Sequence, residues 1–192
     1  MQFLTDFIDN MGFVISKKST DKLLSLIRYT ELKKGETIAK VGEIPKDIYL
    51  LKEGVVRSFY TDEKGKDYIR HIFTSYRTTG ALGALILDKP SRLSYDCLSD
   101  CELYAINFKD FKNLTKKDKE LSCLYSSVLE IIFLILESKI HDLSVLNATE
   151  RYLKLKKQIP DIENLIPQYH IASYLNITPV QLSRIRKEIY SK

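Results

Sequence analysis

The residues with the most chemical content lie between Gln168 and Ile189, QYHIASYLNITPVQLSRIRKEI. A helix-turn-helix needs a small residue where its helices cross, apolar inward positions and a turn that tolerates left-handed backbone. Ala172 is the small residue, and Ile171, Leu175, Ile177, Leu182 and Ile185 are the apolar set. Asn176 stands at the turn, one of the few non-glycine types that reach positive φ at low cost. Thr178-Pro179-Val180-Gln181 then supplies three helix-start signals in four residues: an N-cap hydroxyl, a proline in the first turn and Gln at N3. The second helix of such a unit lies in the DNA major groove. Helical spacing turns Val180, Gln181, Ser183, Arg184 and Lys187 outward. Arg184 suits guanine, since a guanidinium bonds O6 and N7 together; Gln181 suits adenine; Thr178, Ser183, Arg186 and Lys187 are expected at phosphates.

The elements that would carry this unit follow from composition and periodicity. The chain has 192 residues, 44% hydrophobic and 29% charged, with seven Gly, five Pro and three Cys. That excludes collagen-like, low-complexity and disulfide-scaffold classes. From Asn147 onward eight basic residues face four acidic ones, while the first 146 residues are nearly neutral. The excess fits a polyanionic partner; taken alone, it fits a solvated face equally well.

Cys97, Cys101 and Cys123 are odd in number and contain no Cys-x-x-Cys pair, so they read as reduced core residues, and no metal site is expected. The N-terminus carries Asp6 and Asp9 and no basic lead, so a secretory signal is not expected. The most lipid-like window, Leu124 to Leu136, contains Glu130 and is shorter than the roughly 20 residues a bilayer crossing needs. A cytoplasmic protein without a membrane span is the expectation.

Short helices are predicted at Phe3 to Phe13 and at Ser19 to Ile27, with Ser19 as N-cap. From about Thr30 to Phe108 the chain switches to short β-branched and aromatic runs (TIAKVG, DIYLLKEG, VVRSFYTD, DYIRHIFTS, LSYDCLSD, CELYAINF) punctuated by turns such as Asp62-Glu63-Lys64-Gly65. Such spacing predicts an antiparallel jelly roll. A helical pattern free of Gly and Pro follows from Asp110 to Leu146. Leu121, Leu124, Val128, Ile131 and Ile135 form one seam; Leu129, Ile132, Leu136, Ile140 and Leu143 form another. One seam can cover the roll and the other predicts a homodimer. Asn147-Ala-Thr-Glu150 then reads as a capping box, and Pro160 stops the helix it starts. The segment DIENLIP is left open between a hairpin and a turn.

Lys34-Gly35-Glu36, Val41-Gly42-Glu43, Ile48 to Gly54, Asp62 to Gly65, Ala148 to Tyr152, Ile171 to Leu175 and Leu182 to Arg186 together resemble the Crp/Fnr family of bacterial transcription factors, over nearly the whole chain. The resemblance implies an α+β architecture: a cyclic-nucleotide-binding-type β-roll (residues 1–109), a long dimerisation helix (110–146) and a C-terminal winged helix-turn-helix (147–192). It implies a dimer on palindromic double-stranded DNA, admits contact with RNA polymerase, and implies a regulator rather than an enzyme.

The effector region departs from the pattern. Members that bind cyclic AMP carry Gly-Glu-Leu and a later Arg-Ser; here the matching positions read Gly80-Ala81-Leu82 and Pro90-Ser91-Arg92. The carboxylate is missing and the arginine is displaced by one residue, which in extended chain reverses its direction. The tentative effector pocket is therefore Gly80, Ala81, Leu82, Ser91 and Arg92, for a small effector other than cyclic AMP or for none. Iron–sulfur sensing needs four Cys ligands where three stand, so no cofactor is expected. A metal-dependent roll enzyme would need clustered His, and only His71 lies in the roll. The competing reading is a sensor module that acts through a protein partner without specific DNA binding.

Overall fold

The computed structural model describes residues 2–10 and 12–191 of the chain. Helices α1 (Gln2–Asn10) and α2 (Lys17–Leu24) lead into strand β1 (Ile27–Leu32). Then follow β2 (Thr37–Ala39), β3 (Asp47–Glu53), β4 (Val56–Thr61), β5 (Asp67–Phe73), β6 (Arg77–Thr79), helix α3 (Leu82–Leu87), β7 (Ser94–Cys97) and β8 (Cys101–Asn107). The strands form two four-stranded sheets, ordered β1-β8-β3-β6 and β2-β7-β4-β5, with every pair antiparallel. This is the expected roll.

Strand alternation sorts its residues. On β3 and β8, Leu51 and Leu103 point inward with Val56, Cys97 and Cys101, while Leu50 and Ile106 point outward to a second cluster with Phe3, Leu4, Phe7 and Ile8 of α1. The β4–β5 hairpin closes because Asp62 Oδ1 accepts from the Lys64 and Lys66 amides, both at 2.9 Å, with Gly65 at φ 77°.

Local start signals explain the helices. Ser16, not Ser19, caps α2; Ser19 is buried and donates to Asp118 at 3.0 Å. The chain leaves helix after Leu24, so Ile27 belongs to β1 rather than to a helix. The pattern expected as one helix from Asp110 to Leu146 is two: α4 (Phe108–Thr115) and α5 (Lys119–Val145). Asp118 divides them by capping α5 through the Leu121 amide at 3.3 Å, while Lys22, 96 residues earlier in the chain, reaches it at 2.5 Å.

Helix α5, 27 residues long, is apolar and long enough to cross a bilayer by length and composition, which corrects the expectation drawn from Leu124 to Leu136 alone; apolar residues continue to Val145. Its first turns are nonetheless in the protein core through Leu121 and Leu124. Phe133, Leu134, Leu136, Ile140, Leu143 and Val145 of its later turns are exposed.

Helices α6 (Ala148–Gln158), α7 (Ile162–Leu165), α8 (Gln168–Tyr174) and α9 (Pro179–Tyr190) complete the chain. The Asn147–Glu150 capping box is formed. DIENLIP is the helical turn α7. Among the described residues no strand lies beyond Asn107, and α6 to α9 make up the helical part of the expected C-terminal unit.

Gly54 shows how tightly the roll closes. It stands at φ +104°, and a Cβ there would lie 2.5 Å from the Asp100 carbonyl and 2.6 Å from Cys101 Sγ. Gly54→Ala is expected to cost about 2–5 kcal/mol, combining strain with overpacking. Gly65→Ala, where a Cβ meets open space, is expected to cost about 1 kcal/mol. Urea unfolding of the two variants checks the contrast.

Candidate nucleic-acid interface

Helix α9 begins as its sequence dictates: the Thr178 hydroxyl accepts from the Gln181 amide at 3.1 Å and Pro179 occupies the first turn. Asn176 has φ 57°, which turns the chain between α8 and α9. Ala172 is fully buried at the crossing, and Leu182 and Ile185 anchor the inner face of α9. The opposite face presents Val180, Gln181, Ser183, Arg184 and Lys187 to solvent, beside Thr178.

Arg186 is placed differently from the other expected contacts. Its Nε lies 2.6 Å from Glu163 Oε1, with the N–H off the hydrogen-bond line, and its side chain is mostly covered. Glu163 gathers Tyr152 (2.6 Å), Lys156 (2.9 Å) and Tyr190 (3.0 Å) as well. Burial works against its charge, but these hydrogen bonds and Arg186 hold the carboxyl down at about 2. Arg186 thus ties α9 to α7, where helical spacing alone placed it at a phosphate.

The helical unit is docked on the roll. Ile69, Ile72, Val55 and Leu98 share a cluster with Tyr152, Ile162, Ile171 and Leu175. The Ser173 hydroxyl accepts from the Ile69 amide at 2.9 Å and donates to the Asp67 carbonyl at 3.0 Å, joining α8 to β5 through backbone groups. Buried Arg57 binds Asp96 through Nε (2.7 Å) and Nη2 (2.9 Å), binds Asp67 through Nη1 (2.8 Å), stacks on Phe59 at 3.9 Å and faces His170 Nδ1 at 3.4 Å. No sequence signal pointed to this contact: Arg57 on β4 lies 113 residues from His170, and the two meet only in three dimensions.

The tentative effector residues sit in different surroundings. Leu82 lines an apolar cavity of about 60 Å³ outside the roll, between α1, α4 and α5. Gly80 and Ala81 are buried, Gly80 at φ +124°. Ser91 is engaged locally: its hydroxyl donates to the Leu93 carbonyl at 2.6 Å. Arg92 is exposed, with no carboxylate within 4 Å among the described residues. Leu51, Val56, Cys97, Cys101 and Leu103 fill the roll interior. Among the described residues, no group of three or more His, Cys, Asp or Glu is placed to hold a metal.

A family model described as the cyclic nucleotide-binding domain matches residues 29–118, ending at the Asp118 cap. Comparison with curated proteins finds no match. Solved structures share the fold. The catabolite activator protein of Thermus thermophilus is 19% identical, with 94% of this chain and 86% of that one covered and a TM-score of 0.57. FixK2 of Bradyrhizobium japonicum is 17% identical, with coverage of 86% and 85% and a TM-score of 0.71. A structure described as a transcriptional regulator of the Crp/Fnr family from Eubacterium rectale is 13% identical, with coverage of 92% and 84% and a TM-score of 0.72. The protein is therefore of the class that joins a cyclic nucleotide-binding roll to a long helix and C-terminal helices. It is Crp/Fnr-like.

Burial pulls His170 from the ordinary 6.5 to about 4, with Arg57 adding to the effect. Burial does the same to His71, also to about 4, with Lys139, Arg77 and Arg70 adding. Both rings are neutral in the fold, and Arg57 donates to His170 Nδ1 only in that state. The unfolded chain binds these protons first, so stability is expected to fall as pH drops from 6.5 toward 4. Thermal unfolding across that window should show the decline, reduced in His71→Gln; a melting temperature independent of pH there contradicts it.

Proposed function

We propose that the chain is a cytoplasmic transcription regulator that binds a palindromic operator as a homodimer through α9. The supporting observation is the two-sided character of that helix: a buried Leu182/Ile185 face anchors a capped, exposed face of Val180, Gln181, Ser183, Arg184 and Lys187. Arg184 reads a base; Thr178, Ser183 and Lys187 hold phosphates; Arg186 positions the helix through Glu163. A regulatory rather than catalytic role accords with the class. The working units are the sensor roll (1–109), the pairing segment (110–146) and the reading head (147–192).

Exposed Phe133, Leu136 and Ile140 on α5 support the pairing. A dimer presents two reading helices to half-sites about one helical turn apart. Control is a population shift: an effector that favours one packing of α5 or α8 changes the relative orientation of the two heads. Ala81 in place of a carboxylate and exposed Arg92 support an effector other than cyclic AMP.

Selection of bound sites from random duplex DNA by the purified protein tests the proposal: an enriched inverted repeat is expected, and no enrichment in dilute buffer contradicts it. Arg184→Ala is expected to lose about 1–3 kcal/mol of specific binding and to relax discrimination at one position of each half-site. Ile140→Glu is expected to leave the fold intact and give a single-chain species in sedimentation, because it places a charge in the pairing seam.

A further inference from the structure

We propose that the cleft where α5, α6 and α8 meet is a binding site for a small phosphorylated anion, held by Lys139, Arg151 and Lys154. The cleft, about 40 Å³, is lined by Lys139 and Asp142 of α5, Arg151, Lys154 and Gln158 of α6, and Tyr174 of α8, among others. Three cations therefore face one carboxylate. Lys154 already neutralises Asp142 at 2.6 Å and also reaches Ser138 at 3.2 Å.

Lys139 has no such partner. Its ammonium donates to the Arg70 carbonyl at 2.6 Å and sits 3.7 Å above the Tyr174 ring, with no carboxylate within 4 Å among the described residues. Burial, reinforced by Arg70, brings its pKa to about 7, the mark of a covered cation that lacks a counter-charge. Such a charge is costly unless an anion meets it. Arg151 uses Nε on the Leu175 carbonyl at 3.2 Å and Nη1 on the Leu146 carbonyl at 2.6 Å. Its Nη2 has no partner among the described residues, so one donor of a rigid fork remains at the cleft.

The volume suits a single phosphoryl group, whose oxygens can accept from Lys139, Lys154 and Arg151 Nη2 together. Exposed Gln158 at the rim is available to the remainder of a phosphorylated metabolite. An anion here would bridge the pairing helix, the capping-box helix and the first helix of the reading head, and so favour the docked arrangement of α8. The site does not depend on α9 reading DNA.

The test uses the full chain and inorganic phosphate as probe, against chloride at equal ionic strength. A melting temperature that rises with phosphate concentration is expected, as binding to the native state requires. The half-maximal phosphate concentration should rise about tenfold or more in Lys139→Gln and in Lys154→Gln, each of which removes a charge-assisted hydrogen bond. Lys157→Gln, outside the cleft, should respond as the parent does. If Lys139→Gln fails to fold, Lys154→Gln, whose side chain is partly exposed, carries the comparison. No phosphate response, or an equal response in both cleft variants, overturns the proposal. So does a pair of variants that leave phosphate binding absent but lower duplex affinity and its salt slope, because the cations then serve the DNA backbone.

Discussion

The Arg57 guanidinium is the interaction on which the arrangement of roll and C-terminal helices depends. It sits on β4, grips Asp96 of β7 with two parallel bonds and Asp67 of β5 with a third, and so spans three adjacent strands of one sheet. A buried cation satisfied in this way is fixed in position, and removing a partner would strand a charge. From that position it meets His170, while the Ser173 hydroxyl three residues further along α8 bridges Asp67 and Ile69 of β5. The acid that anchors Arg57 therefore also lies on the strand that receives α8. Sheet register and head docking are parts of one network, which gives a change in the roll a physical route to the helix-turn-helix.

The parts of the fold legible in the sequence were those set by neighbours in the chain. The Asn147–Glu150 box, the Thr178 cap with Pro179, and positive φ at Asn176 are each decided within four residues. The seams of α5 and strands β2, β3, β4, β5, β7 and β8 were readable from their periods, residue types and bounding turns, whereas β1 was not picked out. What escaped was set at a distance. The break between α4 and α5 depends on Asp118 meeting Ser19 and Lys22. Strand β6, three residues long, and helix α3, with no side-chain cap, are held by their surroundings rather than by signals of their own.

The same division runs through the candidate sites. The exposed face of α9 follows from helical spacing, whereas the turn of Arg186 toward Glu163 required a partner on α7 that spacing cannot reveal. The effector region was read by analogy, and the analogy weakens where its residues changed: Ser91 bonds to the Leu93 carbonyl two residues on, Arg92 faces solvent, and Leu82 faces a cavity outside the roll. Family pattern thus predicted the scaffold, while the chemistry of the pockets had to be read from this chain's own side chains.

In the proposed function the exposed seam of α5 and the outer face of α9 form a single device, one bringing two chains together and the other giving each a hold on the duplex. Sedimentation equilibrium of the purified protein, alone and with a duplex enriched by site selection, tests this most directly. Two chains in the free species, and two chains per duplex in the complex, is the predicted result. A single chain in both samples, with the duplex sedimenting as free DNA at low salt, would contradict it.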